Sequence, residues 1–104
     1  MKIFYIFLIF FGINAISDEF IVIDVRTSEE FNAGHIEESS NVEWQNISSI
    51  IDKVKKDQKI YLYCRSGRRS QNATDILIDL GYEDVTNPGG IKDAAIFLER
   101  NITE

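Results

Sequence analysis

The lone cysteine, Cys64, is followed at once by residues able to hold negative charge: Arg65, Ser66, Gly67, Arg68, Arg69 and Ser70. A thiol reacts as its thiolate, and cations and hydrogen-bond donors lower its pKa below the free value of about 8.5. Arg65, Arg68 and Arg69 supply the cations, and the small residues between them let backbone N–H groups come close. The chemistry this allows is nucleophilic: an ionised sulfur that attacks, in a cradle that holds the charged intermediate. An inert apolar cysteine is the competing reading, and guanidinium groups are a poor wrapping for it. One cysteine also cannot form an internal disulfide.

The flanking residues predict how Cys64 is positioned. Ile60 to Tyr63 is a continuous apolar run, the pattern of a strand covered on both faces. Ala73, Ile76, Leu77 and Leu80 then fall at i, i+3, i+4 and i+7, one face of a helix that Gly81 can end. Cys64 is thus expected at the carboxyl end of a strand, just before a helix N-terminus whose free N–H groups favour an anion.

The rest of the chain alternates in the same way. Phe20 to Val25 reads as a first strand ending in Asp24-Val25-Arg26. Thr27 or Ser28 caps a short helix, with Glu29 and Glu30 in its first turn and Phe31 as its inward anchor. Ser39 to Glu43 is a weak strand with Trp44 packed at its end. Ile47, Ile50, Ile51 and Val54 predict a helix running to about Lys55. Asp84 to Asn87 is the next strand, followed by Pro88-Gly89-Gly90 and a last helix on Ile91, Ala94, Ala95 and Leu98. Short strands alternating with helices give an α/β fold: one domain with a small parallel sheet flanked by helices on both faces. In such sheets ligands bind beyond the carboxyl ends of the strands.

At 104 residues the chain can bury one modest core. Its net charge of −6 argues against nonspecific nucleic-acid binding. Within Lys59–Arg69, however, four basic residues occur with no acid among them, a local focus for a small anion. Residues 3–16 are apolar, shorter than the about 18 of a membrane span and close to a signal-peptide core. The expected layout is a signal peptide over 1–17, cut after Ser17 or alternatively Ala15, then a domain over 18–104 that is periplasmic or secreted and has no membrane attachment. Asn46, Asn72 and Asn101 head glycosylation-type tripeptides, which are taken as incidental. No metal and no cofactor is expected.

The stretch C-R-S-G-R-R at 64–69 resembles the active-site loop of rhodanese-family sulfurtransferases. Further marks of that family stand in IDVR at 23–26, EFNAGHI at 30–36, Asn41, the GY pair at 81–82 and Gly89-Gly90, so the resemblance runs from about residue 19 to 95. Within the family the chain is most similar to the small, exported, single-domain phage-shock rhodaneses. The resemblance implies a persulfide on Cys64. It implies thiosulfate or another sulfane-sulfur donor, cyanide or a thiol acceptor such as a redox protein, and a monomer. The N–H groups from Arg65 to Ser70 would form the cradle. Arg65 and Arg69 would hold the sulfonate oxygens through paired donors, with Arg68 turned to solvent and Ser66 and Ser70 as minor donors or a cap. Asp24 and Arg26 would lie near the active-site face, in a supporting role or as an ion pair that fixes the turn. Gly89 and Gly90 would allow a close backbone approach to the loop, or form a plain turn. His35 is given a structural position rather than that of a general base. Many relatives carry an aromatic residue soon after the glycine pair, and here Ile91-Lys92 stands instead.

Two rivals bear on the same loop. A cysteine phosphatase or arsenate reductase needs arginine six residues after cysteine, but Ser70 occupies that place and Arg69 comes one residue early. A persulfide carrier, which relays sulfur between partners with little turnover on free thiosulfate, is the alternative from a different class.

Overall fold

The computed structural model describes residues 19–103. The expected leader, residues 1–17, lies outside them. Four short strands form a parallel sheet: β1 (Phe20–Asp24), β3 (Ser39–Asn41), β4 (Lys59–Tyr63) and β5 (Val85–Thr86), in the order β3-β1-β4-β5. β1 and β4 are its centre, in register from Phe20 beside Lys59 to Asp24 beside Tyr63. Alternation along these two strands sends side chains to both faces. Ile23, Ile60 and Leu62 point into one core, with Ile47, Ile50, Ala73, Leu77 and Tyr82. Val22 and Tyr63 point into the other, with Ile36 and Ala94. This double burial explains why both strands read as unbroken apolar runs.

Helix α2 (Arg68–Asp79) covers the first face, and α3 (Ile91–Leu98) lies over the second. α2 buries Ala73 and Leu77, packs Ile76 and Leu80 at the edge of the same core, and ends at Gly81, whose φ of 100° is a left-handed conformation that glycine adopts without strain. α1 (Ser28–Ala33) starts in a reciprocal cap: Thr27 Oγ1 accepts from the Glu30 N–H, and the Glu30 carboxylate accepts from the Thr27 N–H.

The structure departs from the sequence reading at three places. The helix expected through Ile47 and Val54 is instead a 3-10 segment over Trp44–Asp52. With about three residues per turn, Ile47 and Ile50 stack inward while Ile51 swings to solvent, so the expected i+4 contact is lost. Phe31 does not anchor α1 inward; its ring stacks on His35 with centroids 3.8 Å apart, and α1 buries no side chain. A second, two-stranded antiparallel sheet joins β2 (His35–Ile36) to β6 (Ile102–Thr103), a pairing that no local pattern announced.

Tyr63 ties these layers together. Its hydroxyl accepts from the Ile36 N–H at 3.0 Å and lies 3.2 Å from Ser39 Oγ, which itself donates to the Ile36 carbonyl. Burial pushes the phenol up to about 12, so it stays neutral and its proton is free to go to Ser39. Tyr63→Phe leaves the buried Ile36 N–H without its acceptor. We expect a loss of about 1–3 kcal/mol in urea unfolding, with an unchanged denaturant slope.

Candidate active site

The parallel sheet delivers Cys64 to the carboxyl end of β4, beside the turn that ends β1. Val25 N–H donates to the Tyr63 carbonyl at 3.0 Å, and Cys64 itself pairs with Gly90 as an isolated parallel bridge. Arg65 to Gly67 then turn the chain, and α2 begins at Arg68 with Gly67 as its cap. Gly67 has a φ of 99°, which lets the loop fold back over the sulfur.

Cys64 is 0 % exposed and its side chain belongs to the core below the sheet. Its sulfur nevertheless has polar neighbours. The Gly67 N–H donates to Sγ at 2.9 Å, and Ser70 Oγ lies 3.3 Å away. Burial alone pushes this thiol up. The Ser70 hydroxyl and the N–H groups of Ser70, Ser66 and Gly67 act in the opposite sense and prevail, holding it below the ordinary thiol range.

The loop is braced by residues far from it in the chain. Asn87 Nδ2 donates to the Gly67 carbonyl at 3.0 Å, and its Oδ1 accepts from Gly89 N–H at 3.0 Å and, at 2.8 Å, shares the single Ser70 hydroxyl proton with Cys64 Sγ. Gly90 presses on the loop from the same side: a Cβ there would collide with the Arg65 carbonyl oxygen. Gly90 therefore serves the close approach rather than a plain turn. Asn87 was placed by sequence only as a strand end, and nothing local marks it as a brace.

The arginines divide by partner. Arg26 is buried and forks onto Asp24, with Nε 3.0 Å from both carboxylate oxygens and its terminal nitrogen 2.7 Å from Oδ2, and the same nitrogen donates to the Gly34 carbonyl. Arg69 forks onto Glu30, at 2.8 and 3.1 Å. Arg65 and Arg68 are exposed and make no ion pair among the described residues. Glu30, read from sequence only as a helix-start acid, is thus the partner of an active-loop arginine. That pairing holds its carboxyl down at about 2. His35 is occupied elsewhere, its Nδ1 2.9 Å from the Phe31 carbonyl.

A cavity of about 660 Å³ opens at this end of the sheet. Arg65 and Ser66 border it from the loop, Arg26, Glu30 and Ala33 from the β1–α1 side, and Gly90 to Asp93 from the start of α3. The residues next to Cys64 in the chain and in the sheet, Arg65 and Gly90, are therefore part of its wall. No cluster of ligating side chains able to hold a metal occurs among the described residues.

The family of rhodanese-like domains matches residues 13–94. This chain is a member of the rhodanese family. Similar proteins include the thiosulfate sulfurtransferase PspE of Escherichia coli, 34% identical over 76 residues that make up 71% of this chain and 73% of PspE. The thiosulfate sulfurtransferase GlpE of Shewanella oneidensis is 32% identical, over 66% of this chain and 68% of its own. Among solved structures, a rhodanese with anions from E. coli superposes with a TM-score of 0.68 at 32% identity, covering 72% of this chain and 91% of that one. The rhodanese-like domain of Alr3790 from Anabaena gives 0.73 at 22% identity over 83% of this chain and all of its own, a likeness of fold. The α/β architecture with a parallel sheet between helices is that of the rhodanese domain.

Two expectations follow from the geometry. Ser70→Ala removes one donor from the sulfur of this rhodanese domain, so the pH midpoint of Cys64 alkylation by iodoacetamide moves upward from the parent's. Glu30→Gln keeps the acceptor for Thr27 but removes the charge facing Arg69. Because the Glu30 pKa falls from 4.5 to about 2 on folding, its contribution is complete above pH 4.5 and disappears as pH falls through about 2. The stability gap between parent and variant, about 0.2–1 kcal/mol for a half-exposed pair, should therefore be flat above pH 4.5 and close below it. Urea midpoints across that range test this.

Proposed function

We propose that this protein is a sulfurtransferase that moves the outer sulfur of thiosulfate to cyanide or a thiol acceptor through a persulfide on Cys64. The observation that carries the reading is a fully buried sulfur whose neighbours are hydrogen-bond donors, next to a cation-edged cavity walled by its chain neighbour Arg65 and its bridge partner Gly90. In the first step the Cys64 thiolate attacks the outer sulfur of thiosulfate. A sulfur–sulfur bond forms to Cys64, the bond to the sulfonate sulfur breaks, and sulfite leaves with its electron pair. In the second step cyanide or a thiolate attacks the persulfide's outer sulfur and returns the Cys64 thiolate. Neither step consumes an oxidant or a cofactor.

The loop N–H groups from Arg65 to Ser70 hold the negative sulfur in both resting and loaded forms. Arg65, unpaired at the cavity, takes the sulfonate oxygens. Arg69, fixed by Glu30, keeps the loop against α1. Arg68 faces solvent. Asp24 and Arg26 hold the turn beneath the cavity, and Gly89 and Gly90 let the loop close over Cys64. The apolar residues 3–16 support export, with removal of a leader after Ser17 or Ala15, to a periplasmic or secreted location. The acidic net charge argues against nonspecific nucleic-acid binding.

Sulfite release from thiosulfate, with cyanide as acceptor, tests the reading. Cys64→Ser should abolish it. Arg65→Ala should lower kcat/KM for thiosulfate about tenfold or more while leaving the unfolding midpoint near the parent's, since the guanidinium makes no ion pair among the described residues. Turnover retained by the serine variant would exclude a Cys64 persulfide. A parent that gains the mass of one sulfur atom on Cys64 yet turns over free thiosulfate poorly would instead be a persulfide carrier.

A further inference from the structure

Resting on the sulfurtransferase reading, the inference concerns how the donor is recognised. Thiosulfate is a dianion: one charge is on the sulfur that is transferred, the other on the sulfonate oxygens. The sequence offers two arginines for those oxygens, but the Arg69 guanidinium is turned to Glu30 at 2.8 and 3.1 Å. Arg26 is likewise held by Asp24. Among the described residues, the cations that border the cavity without an ion pair are Arg65 on the loop and Lys92 on α3.

Lys92 is poorly explained by the stability of its own helix. With Gly90 as the cap of α3, Lys92 is the second residue of the first turn, where the helix dipole disfavours a cation. Its neighbour Asp93 suits that place and also borders the cavity. An exposed lysine in this position covers no core and pairs with no acid. It does border the same cavity as Arg65, and Gly90, next but one before it, is the residue against which the loop packs. We infer that Lys92 is a substrate-binding residue that, with Arg65, clamps the sulfonate end of the donor and sets a preference for dianionic over monoanionic sulfur donors.

The test separates binding from turnover. In a Cys64→Ser protein, which cannot form the persulfide, the affinity for thiosulfate is measured by NMR titration beside that for methanethiosulfonate, which carries the same outer sulfur but one charge fewer. Adding Lys92→Gln should weaken thiosulfate binding about fivefold at low salt, weaken methanethiosulfonate binding less, and lose most of its effect at high salt. Lys92→Arg should retain the preference. Lys53→Gln, the same charge change at the far end of the 3-10 segment, should alter neither affinity. The inference is overturned if thiosulfate does not bind the serine protein, if Lys92→Gln leaves its affinity unchanged, or if both donors weaken equally. Should the unsubstituted protein release no sulfite while the Lys92 effect on binding persists, the transfer reading falls and the anion clamp stands.

Discussion

A sulfur that is 0 % exposed can stay charged only if hydrogen-bond donors replace the water it has lost. That requirement shapes this end of the molecule. The Gly67 N–H at 2.9 Å and the Ser70 hydroxyl at 3.3 Å are effective only while the loop is wound tightly enough to aim them inward. Winding it so tightly needs a left-handed Gly67 and a neighbouring strand end that has no side chain at Gly90. The donors, the glycines and the bridge between Cys64 and Gly90 are thus one arrangement seen from three directions. Any one of them loosened would leave burial as the dominant influence and push the thiol pKa up.

The same end of the sheet carries a second buried charge system, and the comparison shows how differently charge can be used. Asp24 and Arg26 are both buried and satisfy each other almost completely. A pair of this kind adds little net stability over apolar residues of similar size, yet losing either partner would strand the other at a cost of several kcal/mol. Its effect is geometric: Asn41 donates to the carbonyls of both residues, so the pair and the turn after β1 hold one another in place. Arg26 also reaches the Gly34 carbonyl, which fixes the far end of α1 beneath the cavity. Cys64 is the opposite case, a buried thiol whose pKa is lowered by dipoles rather than by a counter-ion.

What could be read from the sequence was what adjacent residues determine. The strand before Cys64, the helix after it and the cap at Gly81 depend on periodicity and on side chains within a few positions. The partners that give the loop its chemistry are distant in the chain: Glu30 is 39 residues from Arg69, and Asn87 is 17 from Ser70. An acid in a first helical turn and an asparagine after a strand are ordinary in those places, so neither announced its second task. The 3-10 segment was misread for a related reason. Ile47, Ile50, Ile51 and Val54 fit the 3.6-residue period, and only packing against α2 and the sheet selects the tighter winding that leaves Ile51 outside. The strand at Ile102 has no stabilising pattern of its own and exists through its pairing with Ile36.

Charge across the whole protein works against the site, which is why the allocation of its few cations matters. A net charge of −6 repels a small anion at long range, and salt screens that repulsion beyond about 8 Å. Attraction must therefore come from groups within one or two ångströms of contact. Of the cations at the cavity, Arg26 is neutralised by Asp24, while Glu30, the nearest acid of α1, is itself neutralised by Arg69. The Glu30–Arg69 pair thus removes an acid that would otherwise oppose an incoming anion, at the same time as it fastens α2 to α1. With those four charges cancelled in pairs, the field inside the cavity is set by the residues left over, Arg65 and Lys92 against Asp93. The balance is one positive charge in a space that the donors around the sulfur already bias toward an anion.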